Sequence, residues 1–267
     1  MSKNMIAVFG ATGFQGSSVL RALVKSGSYH IRAITRNTSS EKAKKLEGLQ
    51  NVSIFQADLD DADTVHAALS GCYGVFLVTD FSTHFTNTEV QQGKTVIDSA
   101  IKNGLKHVIF SGLENVESVI HKPCLHFDYK AEIENYGLQN GNKVIFTSVR
   151  LPCYYENFTG YCIYKVKSEE YLVNIPVQNT PMYGMSVDDI GECVSSIFEN
   201  PEEYKSRLIG LAGDILTLSE YLSIMNKYLS PIKFIDSNLT IEKYASLGFP
   251  GAKDLAAMFE FVQGMKF

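Results

Sequence analysis

From Met5 to Leu151, short apolar runs alternate with stretches whose apolar positions recur every three or four residues. Met5–Phe9, His30–Thr35, Val52–Ala57, Gly74–Thr79, His107–Ser111 and Lys143–Leu151 read as strands. Between them, Phe14–Ser26 places Val19, Leu20, Leu23 and Val24 on one helical face and stops at Gly27. Asp61–Leu69 and Thr88–Asn103 are helices stopped by Gly71 and Gly104, and another helix covers 126–136. Repeated strand–helix–strand units predict an α/β fold: a doubly wound parallel sheet with helices on both faces. After Leu151 the regularity breaks into a helix at Asp188–Asn200, an apolar run at Leu208–Ala212, a helix opened by the capping box Thr217-x-x-Glu220, and a last helix at Asp254–Val262. Residues 1–151 therefore read as one domain. Residues 152–267 read as a smaller, mixed C-terminal region that completes the cleft and returns elements to the sheet.

Composition narrows this picture. The chain has 267 residues, 45% hydrophobic and 20% charged, with 16 Phe and 14 Tyr but no Trp, so a sizeable core needs neither metal nor disulfide. A net charge of −5 does not suit direct nucleic-acid binding. The one dense basic stretch, Lys42, Lys44 and Lys45, is interleaved with Glu41 and Glu47 and reads as a solvated helix face. Five scattered cysteines without C-x-x-C spacing point to reduced thiols in the cytoplasm. No signal sequence precedes the first strand, and no apolar run approaches the roughly 18 residues of a membrane span.

The strongest motif is Gly10-Ala11-Thr12-Gly13-Phe14-Gln15-Gly16, directly after the first strand and opening the first helix. In that setting Gly10 permits the sharp turn, Gly13 lets backbone approach a pyrophosphate, and Gly16 lets helix and strand pack closely. The helix N-terminus offers unpaired N–H groups and partial positive charge to the phosphates. This predicts a Rossmann-type dinucleotide site. About 20 residues further on, a carboxylate would bind the ribose 2′-hydroxyl of NAD. Arg36 stands there instead, in Arg36-Asn37-Thr38-Ser39-Ser40. A guanidinium fork pairs with a 2′-phosphate that a carboxylate would repel, and the hydroxyls of Thr38, Ser39 and Ser40 add donors. NADP(H) is therefore the expected cofactor.

The string Ala7-Val-Phe-Gly-Ala-Thr-Gly-Phe-Gln-Gly16, with Thr35-Arg-Asn37, resembles the NmrA-like family of atypical short-chain dehydrogenase/reductases. The stretches Ser111-Gly-Leu-Glu-Asn115, Arg150-Leu-Pro-Cys-Tyr-Tyr-Glu-Asn157, Met182-Tyr-Gly-Met-Ser186 and Leu247-Gly-Phe-Pro-Gly-Ala252 sharpen the match over nearly the whole chain. The resemblance implies NADP(H) held without established turnover, and a redox-sensing regulatory role in which dinucleotide state alters association with partner proteins. It implies adenine near Asp58 and Leu59, the ribose side at Thr79, Asp80 and Phe81, and the nicotinamide side at Lys130 and Tyr154, Tyr155, Glu156 and Asn157. It also implies a homodimer, a nuclear as well as cytoplasmic location, and a C-terminal tail longer than this one. One departure is Gln91, where members can carry a Lys.

A short-chain reductase needs Tyr-x-x-x-Lys on the helix after the fifth strand, one face presenting both side chains. Lys130 fits, but the Tyr position is His126, and Tyr129 points about 100° away from Lys130. Tyr161-x-x-x-Lys165 follows the sixth strand and reads as coincidence. Two uses of the cofactor therefore stay open. One is a regulator without a catalytic residue, with Tyr154-Tyr155 and Phe81–Thr88 as the moving segments. The other is a reductase using Lys130, with His126 as a proton carrier; as the plainer alternative, His126 is a polar residue on a half-exposed helix. Cys153, in the nicotinamide-side loop, is a redox-responsive thiol or an inert core thiol. Asp60 and Asp61 read as helix-start carboxylates. The six His and five Cys show no metal-ligand spacing, so no metal is expected. Arg36→Ala should weaken NADPH by about 10- to 150-fold, the value of one charge-assisted hydrogen bond, and leave NADH nearly unchanged in calorimetry.

Overall fold

The computed structural model describes residues 3–83, 85–160 and 162–265. In chain order the first elements are β1 (Met5–Val8), α1 (Phe14–Ser26), β2 (His30–Thr35), α2 (Glu41–Lys44), β3 (Val52–Gln56), α3 (Ala62–Leu69), β4 (Gly74–Leu77), α4 (Thr88–Lys102) and β5 (His107–Gly112). Next come α5 (Glu117–Ile120), α6 (Leu125–Gln139), β6 (Ile145–Arg150), β7 (Cys153–Tyr154), β8 (Ile163–Lys167), β9 (Glu170–Val173) and β10 (Met182–Met185). The remainder is α7 (Val187–Glu199), α8 (Pro201–Tyr204), β11 (Leu208–Gly210), β12 (Asp214–Leu216), α9 (Leu218–Tyr228), β13 (Lys233–Asp236), α10 (Ile241–Ala245) and α11 (Ala252–Gly264).

The chain divides into two compact units. Residues 1–113, 129–150 and 187–210 form the first; 114–128, 151–186 and 211–267 form the second. The first unit holds a seven-stranded sheet in the order β11-β6-β5-β4-β1-β2-β3, every pair parallel. This is the doubly wound α/β sheet that the alternating pattern predicts. Its central strands are continuous apolar runs because helices cover both faces; β5 is buried at all six positions. Ala7, Leu77, Val96, Ile97, Phe110 and Phe146 form part of one buried cluster. Chain order reverses between β1 and β4, so the switch point lies where the glycine loop leaves β1.

Helix α7 belongs to this unit although it follows a long excursion. Ser18 of α1 donates its hydroxyl to the Asp188 carbonyl at 2.9 Å and accepts from the Gly191 N–H at 3.0 Å. Strand β4 ends two residues before the expected Thr79, whose carbonyl accepts from a lysine ammonium rather than from a neighbouring strand.

The second unit carries two small sheets, β12-β10-β7 and β13-β9-β8. Its core gathers Phe158, Val173, Ile175, Tyr221, Phe234 and Phe259. Its strands are two to five residues long, and β8 and β12 are mostly exposed, so neither a long apolar run nor a clean alternation marks them in the sequence. Among the described residues no helix is long and apolar enough to cross a membrane.

One buried titratable group sets a pH dependence for the first unit. His107, fully buried in β5, has Nε2 2.9 Å from Thr147 Oγ1, while its Nδ1 has no hydrogen-bond partner among the described residues. Burial pushes its pKa down from 6.5 to about 4, because a second ring proton would be left without an acceptor. The neutral ring contributes its full stability above pH 6.5. As the pH falls from 6.5 to 4, the unfolded chain takes up a proton that the folded chain does not, and stability should drop by about 3 kcal/mol before levelling. Urea unfolding between pH 7 and 4.5 checks this: His107→Gln should lose that part of the slope.

Candidate functional site

The glycine loop is built on contacts that allow no side chain. Gly10 sits at φ +65°, in the left-handed region, and a Cβ there would meet Val78 Cγ1 at 2.7 Å. A Cβ on Gly16 would lie 2.2 Å from the Gly10 carbonyl oxygen, so α1 can press against the turn only as glycine. The Gly13 N–H closes the loop onto the Gly10 carbonyl at 2.8 Å. Gly13 is also the N-cap of α1, where no side chain caps the helix and no acidic residue occupies the first turn. By contrast, α3 and α9 are capped by Asp61 and Thr217. The first-turn N–H groups of any helix lack an intrahelical acceptor. Here their charge is not neutralised from within α1, which suits an incoming pyrophosphate.

Parallel registry brings the other sites of the first unit to the same sheet edge. Val8 pairs with Ala33 on one side and with Phe76 on the other, and Thr35 pairs with Gln56. The carboxyl ends of β4, β1, β2 and β3 thus place Thr79–Phe81, Gly10–Gly16, Arg36–Ser40 and Asp58–Leu59 in sequence along one rim. Arg36 is exposed and has no ion-pair partner among the described residues. Asn37 Oδ1 accepts the Ser39 N–H at 2.9 Å, which shapes the turn. The Ser40 hydroxyl is committed locally: it donates to the Asn37 carbonyl and accepts from the Ala43 N–H as the cap of α2. Arg36, the Asn37 side-chain amide nitrogen, Thr38 and Ser39 carry the donors that no hydrogen bond among the described residues occupies.

Asp58 Oδ1 accepts the Asp60 N–H, and Asp61 caps α3 through the N–H groups of Asp63 and Thr64, so Asp61 acts as a helix-start carboxylate. Asp60 accepts from Gln92 Nε2 at 2.7 Å. Leu59, Asp60, Ala62, Thr88, Gln91, Gln92 and Thr95 line a cleft of about 270 Å³ beside this turn. Gln91 presents an amide there, bonded to Thr95 Oγ1.

Lys130 is engaged in a closed ring. Its ammonium donates to the Thr79 carbonyl and Thr79 Oγ1, each at 2.9 Å, and to Glu89 Oε1 at 2.5 Å. Thr79 Oγ1 in turn donates to the same Glu89 oxygen at 2.6 Å. An ammonium has three protons, and all three are used. The pair is buried: the Lys130 side chain is 11% exposed and that of Glu89 2%. Glu89 Oε2 is buried with no hydrogen-bond partner among the described residues. Glu89 is the residue that sequence reasoning missed. Its signal is a carboxylate in register with Gly93, Val96 and Ala100 on the buried stripe of α4. Tyr129, next to Lys130, packs on Phe81 with ring centroids 5.9 Å apart. Asp80 accepts from the Ser82 N–H and hydroxyl. Within the Phe81–Thr88 segment, His84 lies outside the described residues.

The remaining predicted residues belong to the second unit. His126 pairs through Nδ1 with Asp254, and its side chain is 18% exposed rather than half-exposed. Tyr155 donates its hydroxyl to Asp214 Oδ2 at 2.8 Å and to the Gly184 carbonyl at 3.2 Å. Glu156 accepts from Ser186, and Asn157 donates to Cys153 Sγ at 3.6 Å. Tyr154 ends β7, pairing with Met185. Burial pushes the Cys153 thiol pKa up despite the Asn157 bond, which favours the unreactive thiol form at neutral pH. Lys165 lies on a strand, β8, and Tyr161 is outside the described residues, so the second Tyr-x-x-x-Lys lacks its helix.

Breaking the Lys130 ring should be costly. Lys130→Met should destabilise the fold by about 3–5 kcal/mol by stranding a buried carboxylate. Lys130→Met with Glu89→Leu should cost clearly less than the two single changes summed, as read by urea unfolding.

The NmrA-like family profile matches residues 2–266. An NmrA-like family domain-containing protein of Dictyostelium discoideum is 32% identical over 239 residues, covering 85% of this chain and 78% of its own length. An NmrA-like family domain-containing oxidoreductase of Aspergillus flavus is 28% identical over 284 residues, covering 98% of this chain and 84% of its own. Among solved structures, the negative transcriptional regulator NmrA has been seen with NADP (TM-score 0.81) and with NAD (TM-score 0.82). Each is 21% identical and covers 98% of this chain and 82% of that one, a likeness of fold. With its glycine loop at the switch point of a seven-stranded parallel sheet, and a family match spanning nearly every residue, this chain belongs to the NmrA-like family.

Proposed function

We propose that this protein binds NADP(H) as a redox-sensing regulator, cofactor occupancy altering its conformation and its association with partner proteins, without turnover. The binding half of this reading rests on the glycine cradle, the uncapped N-terminus of α1 and the exposed Arg36, which has no ion-pair partner among the described residues. When bound, NADPH would supply a hydride. The residues of this chain would orient it: backbone amides of α1 toward the pyrophosphate, and Arg36 with Thr38 and Ser39 toward the 2′-phosphate. NmrA, seen with both NAD and NADP, is a precedent for a dinucleotide held by a regulator.

The observation that carries the regulatory half is the saturated ammonium of Lys130. A reductase of this type needs a proton donor beside the hydride acceptor. Lys130 has every proton bound to Thr79 and Glu89, and His126 directs Nδ1 to Asp254. A regulatory output requires that the cofactor bind two conformations unequally, and Tyr154-Tyr155 and Phe81–Thr88 are the segments proposed to move. The partners are regulatory proteins, with a second copy of the chain as one of them, in cytoplasm and nucleus. The second reading, a reductase in which Lys130 leaves Glu89 to serve a substrate, is favoured by relatives named as oxidoreductases.

Calorimetry with NADPH, NADP and NADH, run beside an NADPH-oxidation assay over carbonyl and quinone substrates, separates the two. The regulator predicts stoichiometric NADPH binding, no oxidation above background, and a changed protease cleavage pattern with cofactor. NADPH oxidation above background by the unaltered chain, lost in a Lys130→Met, Glu89→Leu double variant that still binds NADPH, would establish the reductase instead. Identical proteolysis with and without NADPH would sink the regulatory reading.

A further inference from the structure

His126 is a candidate proton carrier and Asp254 its partner, while Cys124 has no part in the dinucleotide reading. The fold of the second unit brings the three together across 130 residues of sequence. Cys124 precedes the first turn of α6, His126 lies within that turn, and Asp254 lies in the first turn of α11. Sγ of Cys124 is 3.6 Å from Nδ1 of His126, and that nitrogen is in direct contact with Oδ2 of Asp254. One donor atom from each residue falls within 4.8 Å of the others. We propose that Cys124, His126 and Asp254 form a binding site for one borderline-soft divalent transition metal, of which zinc is the type, with water as the fourth ligand.

The donor chemistry selects the class. A thiolate and an imidazole disfavour calcium and magnesium, which take oxygen ligands. With metal–sulfur and metal–nitrogen bonds of about 2.3 and 2.0 Å, a tetrahedron has an S···N edge of about 3.5 Å, close to the 3.6 Å found. The His126–Asp254 edge would open from hydrogen-bond contact to about 3.3 Å as the metal takes the place of the proton between them.

Charge points the same way. Cys124 is fully buried among Val116, Ala257 and Phe261, with Phe127 and Met258 against the cluster. A divalent ion with one thiolate, one carboxylate and one neutral imidazole makes an uncharged assembly, which an apolar shell tolerates.

Outer hydrogen bonds hold the ligands in place. Asp254 accepts the Leu125 N–H through its other oxygen, Oδ1. Asp128 accepts the Cys124 N–H at 2.7 Å and the Glu117 N–H at 3.0 Å. Access from solvent is through the imidazole and carboxylate, 18% and 14% exposed. The binding step balances: sulfur, nitrogen and oxygen each give a lone pair to the metal, the thiol proton is released to solvent, and the Nδ1 proton moves to Nε2 or is also released. No electron is transferred.

The test uses the full chain, reduced and stripped with chelator, titrated with zinc by calorimetry in two buffers of different ionisation enthalpy, and with cobalt followed by absorbance. Expected are one zinc per chain, release of at least one proton, and a thiolate-to-cobalt charge-transfer band. Cys124→Ser keeps the His126–Asp254 contact, so it should fold with an unchanged melting temperature in the absence of metal, yet lose the band and bind zinc about 100-fold more weakly. Asp254→Asn should weaken zinc by at least about tenfold. Absence of zinc binding, equal affinity in Cys124→Ser, or a cobalt spectrum without the thiolate band would each overturn the site. NADPH affinity is read separately, so failure here leaves the dinucleotide reading standing.

Discussion

The close approach of α1 to the turn after β1 is the constraint on which the first unit depends. The Gly10 carbonyl lies where a side chain on Gly16 would begin, and Gly10 itself takes a left-handed backbone. These two conditions fix the helix against the strand and set its N-terminus at the point where strand order reverses. The rest follows from parallel pairing. Because β2 and β4 flank β1 in the same direction, whatever follows each strand is delivered to the same rim. An exposed arginine, a hydroxyl-rich turn and a buried threonine become neighbours of the loop without any contact among themselves in sequence.

That rim also carries a buried charge. Removing Glu89 and Lys130 from water is expensive, and the attraction between them offsets it only with good geometry. Thr79 supplies that geometry by accepting from the ammonium and donating to the carboxylate. A second buried carboxylate, Glu134, lies one turn beyond Lys130 on α6 and is met by two guanidinium nitrogens of Arg150 from β6. In the first case, the residue a reductase would use as its cation is already satisfied. The glycine loop presents backbone to its rim, whereas the Lys130 ammonium is bound into an ion pair that would have to open before it could meet another group.

The second unit solves a different problem with less regular means. Its strands are short, and its core is largely aromatic: Tyr171 stacks on Phe234 at 5.6 Å, and Tyr244 meets Phe259 edge to face at 5.1 Å. Tight packing of large rings compensates for little strand pairing. Here the polar residues pair over long sequence distances, Tyr155 with Asp214 and His126 with Asp254, and the buried thiol of Cys124 comes to lie against the second of these pairs.

The amino-acid sequence by itself determined the α/β class, the position of six strands, the dinucleotide loop and the choice of Arg36 in place of a carboxylate. Each is a local signal: an apolar run of fixed length, a glycine at a fixed offset, a residue type just past a strand. It also excluded a Tyr-x-x-x-Lys on α6. Only the tertiary structure decided what the remaining polar residues do. The sequence reading puts Lys130 and Ser40 at the cofactor; the fold adds that Lys130 is paired with Glu89 and that Ser40 caps α2. Cys124, His126 and Asp254 have no ligand spacing because the fold, not the chain, sets their separation. The short strands of the second unit were hidden for the same reason. Partners far apart in sequence leave no periodic trace, since what fixes them is packing against a neighbour rather than the pattern of their own segment.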